Sequence, residues 1–195
     1  MLIENKGIKK DNYFIPPFVL NEGEIIILYL FEGQYFLPTE LYLKDIFTGK
    51  IKHENVLVHK HLSFVEYIFE PRWRSLFCPI TVGEYLRKNA NTNSNYATKI
   101  YERNKWITNK TKIHNLAGNI RKQLSLFATL SKSKNIVFDL SGQDPLGAEE
   151  TYECVKENVK NGGSGILIDW AKNMIDWAKN MEDKCTKLIQ IQWTE

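Results

Sequence analysis

Between Asn135 and Asp169 the sequence spells out a complete βαβ unit, and few folds accommodate one. Ile136 to Phe138 is a short apolar run ending in Asp139, the pattern of a strand buried on both faces that delivers a carboxylate to the sheet edge. Ser141-Gly142-Gln143-Asp144-Pro145-Leu146-Gly147 follows. Asp144 is placed to cap a helix with Pro145 in its first turn, where a missing N–H costs nothing. Ala148, Tyr152, Val155 and Val159 then recur at helical spacing, with Glu149, Glu150 and Glu153 near the positive end and Lys156 and Lys160 near the negative end. Gly162 can close the helix. Gly165 to Ile168, ending in Asp169, reads as the second strand.

The rest of the chain accommodates this unit. With 195 residues, 43% hydrophobic and 25% charged, it can bury one sizeable core, and disordered and fibrous classes are excluded. The opening residues lack a secretory pattern and the longest aliphatic run, Ile25 to Phe31, is too short to span a bilayer, so a cytoplasmic protein is expected. Cys78, Cys154 and Cys185 are widely spaced and read as reduced thiols. Net charge is only +3, but Glu84 to Gln123 holds nine basic residues against two acids.

In chain order, residues 1 to 20 with Pro16-Pro17 predict one or two short edge strands. Asn21 to Glu24 is a turn before a buried strand, Ile25 to Leu30. Val56 to Phe69 reads as one long strand or a pair, with His59 and His61 on one side of it; with no third ligand nearby, surface histidines are expected rather than a metal site. Thr81 and Glu84 fit a capping box at a helix start. Asn89 to Asn95 is a polar linker, and Tyr96 to Lys112 is basic with interspersed Tyr101 and Trp106. Asp169-Trp-Ala-Lys-Asn-Met174 recurs as Asp176 to Met181, placing Trp170, Met174, Trp177, Ala178 and Met181 on one helical face, read as core packing. Leu188 to Ile191 is a candidate last strand.

An apolar strand ending in Asp139, followed by Ser-Gly-x-Asp-Pro-x-Gly, resembles the Walker B strand and D-loop of ATP-binding cassette (ABC) transporter ATPases. Further parts of that pattern stand in family order: the Gly23-Glu24 turn and aliphatic strand, Leu41 to Gly49 as the helix after the phosphate loop, Thr81-Val-x-Glu-x-Leu86, and Leu116-Ala-Gly118 before a basic helix. The resemblance implies a P-loop NTPase-like α/β fold: a mostly parallel sheet, an antiparallel β edge, and a helical subdomain at about residues 82–128 inserted into a single domain, 1–195. It also implies vestigial nucleotide-binding positions at Gly33, Thr39, Arg72, Gly118, Asp139 and Asp144, with Asp139 the metal ligand.

The chemistry of that family is eroded here. A phosphate loop needs G-x-x-x-x-G-K-[ST], for amides that face the phosphates, a neutralising Lys and a hydroxyl on Mg²⁺. Phe31 to Glu40 retains one glycine and no Lys, Glu32 and Glu40 are acidic, and Lys44 and Lys50 come too late. Arg72 stands at the family's Gln, Ala117 and Asn119 replace the signature Ser and second Gly, Leu140 stands at the general base, and no His follows His114. ATP and Mg²⁺ are therefore expected to bind weakly or not at all. The resulting reading is a degenerate, catalytically impaired ABC-type subunit with a regulatory or assembly role. It would pair with an ABC ATPase or, through residues 84–112, with a membrane transporter subunit that brings it to the membrane. Two further readings stay open: an active ABC ATPase with an unconventional site, and a basic module that binds nucleic acid through Arg103, Lys105, Lys110 and Lys112 with stacking aromatics.

Overall fold

The computed structural model describes residues 1–11, 13–30, 33–169 and 186–193, which form two compact units. The first unit holds residues 1–64, 135–141 and 154–195; the second holds 65–134 and 142–153. The recurring Trp170 to Met181 segment lies outside the described residues.

The continuous apolar runs become the buried centre of the first unit. β5 (Ile25–Tyr29), β8 (Asn135–Phe138) and β9 (Ser164–Asp169) are buried along their whole length, as expected of parallel strands covered on both faces. With β10 (Thr186–Gln190) and β7 (Ser63–Phe64) they form a five-stranded parallel sheet in the order β10-β5-β9-β8-β7. Helix α1 (Phe36–Phe47) follows β5 and buries Leu43, Ile46 and Phe47 in one core with Ile26, Leu28, Ile166 and Ile168.

The first twenty residues make four strands, β1 (Ile3–Asn5), β2 (Ile8–Lys10), β3 (Tyr13–Ile15) and β4 (Phe18–Leu20), where one or two edge strands were expected. β1 is central, flanked by β4 and by β6 (Val56–Val58), and β3 lies between β2 and β11 (Gln192–Trp193). Positive φ at Gly7 and Asp11 and the Pro16-Pro17 break cut the segment into three-residue pieces, a length with little sequence signature of its own. The Val56 to Phe69 region likewise resolves into β6 and β7, in different sheets. His59 and His61 follow the end of β6 and share no strand face; the His61 ring packs directly over Gly49, whose φ of +75° and lack of Cβ make room for it.

Edge strand β10 is tied to the turn before β5 by Lys187 Nζ, 2.7 Å from Glu24 Oε1. Burial alone raises the Glu24 carboxyl, but hydrogen bonds from Lys187 and the Asn21 N–H outweigh it and hold it below the usual carboxylate range. A lowered folded value means this contribution is present above the unfolded glutamate pKa of about 4.3 and is lost as pH falls through the lowered value. Lys187 is 46% exposed, so the ion pair itself contributes no more than about 1 kcal/mol. Urea midpoints measured from neutral to acid pH should fall less steeply in Glu24→Gln than in the wild type, and the difference should shrink in high salt.

In the second unit, α2 spans Arg72–Phe77, α3 Val82–Asn89, α4 Lys99–Arg103 and α5 Gly118–Leu130. The predicted capping box is present: Thr81 Oγ1 accepts the Glu84 N–H while the Glu84 carboxylate accepts the Thr81 N–H. Of the basic Tyr96 to Lys112 stretch only α4 is α-helical; the rest is turn, irregular chain, one short 3₁₀ segment and the bridge of Lys112 to Thr81. Helix α6 (Pro145–Lys160) carries the chain from the second unit back into the first.

Candidate functional site

Ligands in open α/β sheets bind outside the carboxyl ends of the strands, where the strand order reverses. Here that place is the carboxyl end of β5, which has β10 on one side and β9 on the other. Tyr29 pairs with Asp169, Phe138 pairs with Leu167, and Asp139 is the next residue, so two acids stand at the ends of adjacent strands. Both are buried, each 6% exposed. Asp139 Oδ1 accepts the Ser141 N–H at 2.8 Å, and the Asp169 carbonyl accepts the Leu30 N–H at 2.7 Å.

Helix α1 starts early. Tyr35 is its N-cap, with helical φ and ψ and no side-chain cap. An α-helix normally presents its first few N–H groups unpaired, and these are what a phosphate would take. Here the Phe36 N–H is bonded to Gly33 O and the Thr39 N–H to Tyr35 O. Pro38, between them, has no N–H. Two donors of the first turn, at Phe36 and Pro38, are thus spent or absent, whereas the Thr39 bond is the regular first i→i−4 bond of the helix. Thr39 and Glu40 are buried at 4% and 6%, while Tyr35 and Leu37 are exposed. Lys44, one turn further on, is also buried, its Nζ 4.1 Å above the Phe64 ring, a position stabilised by the ring's negative face.

No protein-family model and no curated protein matches the sequence. Solved structures do match the fold. An inward-facing ABC transporter of the metal-chelate type aligns over 98% of this chain and 83% of its own at 15% identity and a TM-score of 0.69. A nucleotide-free ATP-binding cassette from an ABC transporter covers 100% and 92% at 17% identity and 0.65. CbiO1 from Clostridium perfringens, part of the ABC transporter complex CbiONQ, covers 98% and 86% at 12% identity and 0.60. The fold is that of an ABC ATP-binding domain.

Gly33 to Glu40 follows β5, where the resemblance expects the phosphate loop, and the residues there do not fit a triphosphate. Counted from Gly33, the pattern would put Pro38 at its second glycine, Thr39 at its lysine and Glu40 at its Mg²⁺ hydroxyl, so the stretch offers neither the cation nor the full set of amides. Among the described residues no group of three or more His, Cys, Asp or Glu side chains could hold a metal ion. Asp139 stands at the strand end where the resemblance expects the metal ligand, followed by buried Leu140.

The remaining expected positions lie in the second unit. Arg72 opens α2. Gly118 opens α5, and a Cβ on it would collide with the Gly142 carbonyl, so the turn before α5 and the loop after Asp139 meet backbone to backbone. Asp144 caps α6 through Oδ1, which accepts the Gly147 N–H at 2.8 Å. Its other oxygen accepts Asn119 Nδ2 at 2.8 Å while Asn119 Oδ1 accepts the Asp144 N–H at 3.1 Å, a reciprocal pair. The Gly147 N–H and the Asn119 side chain hold the Asp144 carboxyl below its usual range. Sequence reasoning treated Asn119 only as a lost glycine; its partner is 25 residues away, and nothing local announces it. Gly147 makes room for this side chain, since a Cβ there would overlap the Asn119 amide.

Of the basic middle segment, Arg103, Lys105, Lys110 and Lys112 are exposed, and Trp106 is 58% exposed. Lys122, counted with them in the sequence, is instead buried at 1% within α5. The buried face of α5, from Lys122 to Ala128, is wider than the apolar stripe of its sequence.

Proposed function

We propose that this chain is an ABC-type ATP-binding domain whose phosphate loop has been rebuilt as helix, and that it serves as a regulatory or assembly subunit of a transporter-like complex rather than as its motor. The observation that carries this reading is the first turn of α1: Phe36 N–H is already bonded, Pro38 offers none, no lysine is present, and Glu40 is buried. Phosphoryl transfer rests on positioning and charge stabilisation by those same groups.

The partner in this reading is a membrane component, and the chain would be cytoplasmic, held at the membrane through it. No helix among the described residues is long and apolar enough to cross a membrane. The neighbouring Clostridium structure is part of a transporter complex, which supports the assignment by analogy of fold. The second unit offers a surface for docking: Phe69, Trp73 and Phe77 are 78%, 66% and 84% exposed, and in sequence they precede the basic stretch 84–112. Large exposed aromatics of this kind are typical anchors of protein interfaces.

Calorimetric titration with Mg·ATP tests the reading. We expect no saturable heat. Tight saturable binding that Asp139→Asn abolishes would establish instead an ATP site built from unconventional residues.

A further inference from the structure

The second unit contains an open surface pocket of about 430 Å³, with Glu84, Arg87, Thr92, Thr98 and Asn109 exposed on its walls, that none of the nucleotide-site geometry explains. It lies between the start of α3, the turn from Thr92 to Thr98, Tyr101 of α4, and Asn109. All its walls belong to the one unit. Its size falls within the ordinary range for sites that hold small molecules, roughly 300–1,000 Å³.

Its chemistry is two-sided. Leu86 and Ala97, 5% and 6% exposed, supply apolar surface. Arg87 supplies charge: it lines the pocket, is exposed, and, after the hydrogen bonds from Thr81, its positive charge helps to hold the Glu84 carboxyl below the usual range. Glu84, one turn before it, is committed to the α3 cap through the Thr81 N–H and hydroxyl. Asn109 is oriented by its neighbours, since its carbonyl accepts the Gly83 N–H at 3.1 Å and its Oδ1 accepts the Tyr101 hydroxyl at 2.5 Å. Burial raises the Tyr101 phenol, so it stays protonated and continues to donate. With Oδ1 taken, the amide N–H groups of Asn109 are left as donors, and the Thr92 hydroxyl is likewise uncommitted. Thr98 is not, being bonded to Asn95 and Glu102.

A pocket that gathers an exposed guanidinium, an amide and a hydroxyl above apolar ground is complementary to a small amphiphilic anion. The planar fork of Arg matches a carboxylate in two-point contact. One cation with the Glu84 carboxylate nearby favours a single negative charge over a dianion. We propose that this pocket binds a small organic monocarboxylate, its carboxylate on Arg87 with Asn109 and Thr92, its hydrocarbon on Leu86 and Ala97. The inference is independent of the transporter reading, because it uses no residue of the nucleotide site.

The test titrates the full ¹⁵N-labelled chain with 4-methylpentanoate and, separately, with inorganic phosphate, following amide resonances. For the carboxylate we expect saturable shifts confined to Arg87, Thr92, Ala97, Thr98 and the Asn109 side chain, with a Kd on the order of 1 mM for so small a ligand. Arg87→Gln should weaken binding about tenfold or more, the usual loss for a charge-assisted hydrogen-bond pair. Because Arg87 is exposed, the variant should keep the remaining spectrum unchanged, which separates lost binding from lost fold. Absence of shifts at the pocket, equal affinity in Arg87→Gln, or the same shifts from phosphate would each overturn the proposal.

Discussion

Purified protein incubated with Mg·ATP should release no phosphate above the uncatalysed rate. Loss of one charge-stabilising contact at a reaction centre typically costs about a hundredfold or more, and here several are missing together. The loop has no lysine, Pro38 and the bonded Phe36 amide remove donors, and Leu140 cannot polarise water. Such losses are not additive, since residues that act as a unit fail together, so the separate absences are not multiplied one by one. The melting temperature should tell the same story. A nucleotide present at about a hundred times its Kd stabilises the folded state by about 2.7 kcal/mol, worth roughly 5–10 °C in a domain of this size. We expect no rise. Phosphate release that scales with protein concentration and disappears in Asp139→Asn would refute the proposed role and place the chain among working ATPases.

Phe47→Ala should destabilise the protein by about 3–5 kcal/mol, lowering the melting temperature by roughly 6–20 °C. Phe47 is fully buried at the end of α1, and its ring meets Phe18 of β4 edge to face, with centroids 6.0 Å apart at 63°. Removing it leaves a cavity in the core that α1 shares with β5 and β9, and it also forfeits the aromatic pair. A melting point within about 2 °C of the wild type would show that α1 does not hold this core together. The two predictions are complementary. The first concerns the amino end of α1, where chemistry has been removed, and the second its carboxyl end, where packing has been kept.

That division is visible in the sequence only in part. Leu43, Ile46 and Phe47 keep the apolar spacing of a helix laid on a sheet, while Glu40 and the missing lysine are plain omissions from a known pattern. Where the helix begins is another matter. Nothing in Gly33-Gln34-Tyr35-Phe36 dictates that helical hydrogen bonding starts with Phe36, and Tyr35 is not a strong capping residue. Only once the start is fixed does Pro38 become the missing donor of the first turn, instead of a residue in a loop.

The chain by itself determined its local elements: the wholly buried, largely apolar strands β5, β8 and β9, the Asp144 cap of α6, and the Thr81 capping box. Each depends on residues within a few positions of one another, so the forces that set them can be read in line. The three-residue strands of the first twenty positions, the burial of Lys122, the reciprocal Asn119–Asp144 pair and the Arg87 pocket were decided by the tertiary structure. Their partners lie far along the sequence or outside any periodic pattern, and the free energy that fixes them is gained only when distant segments are brought into contact.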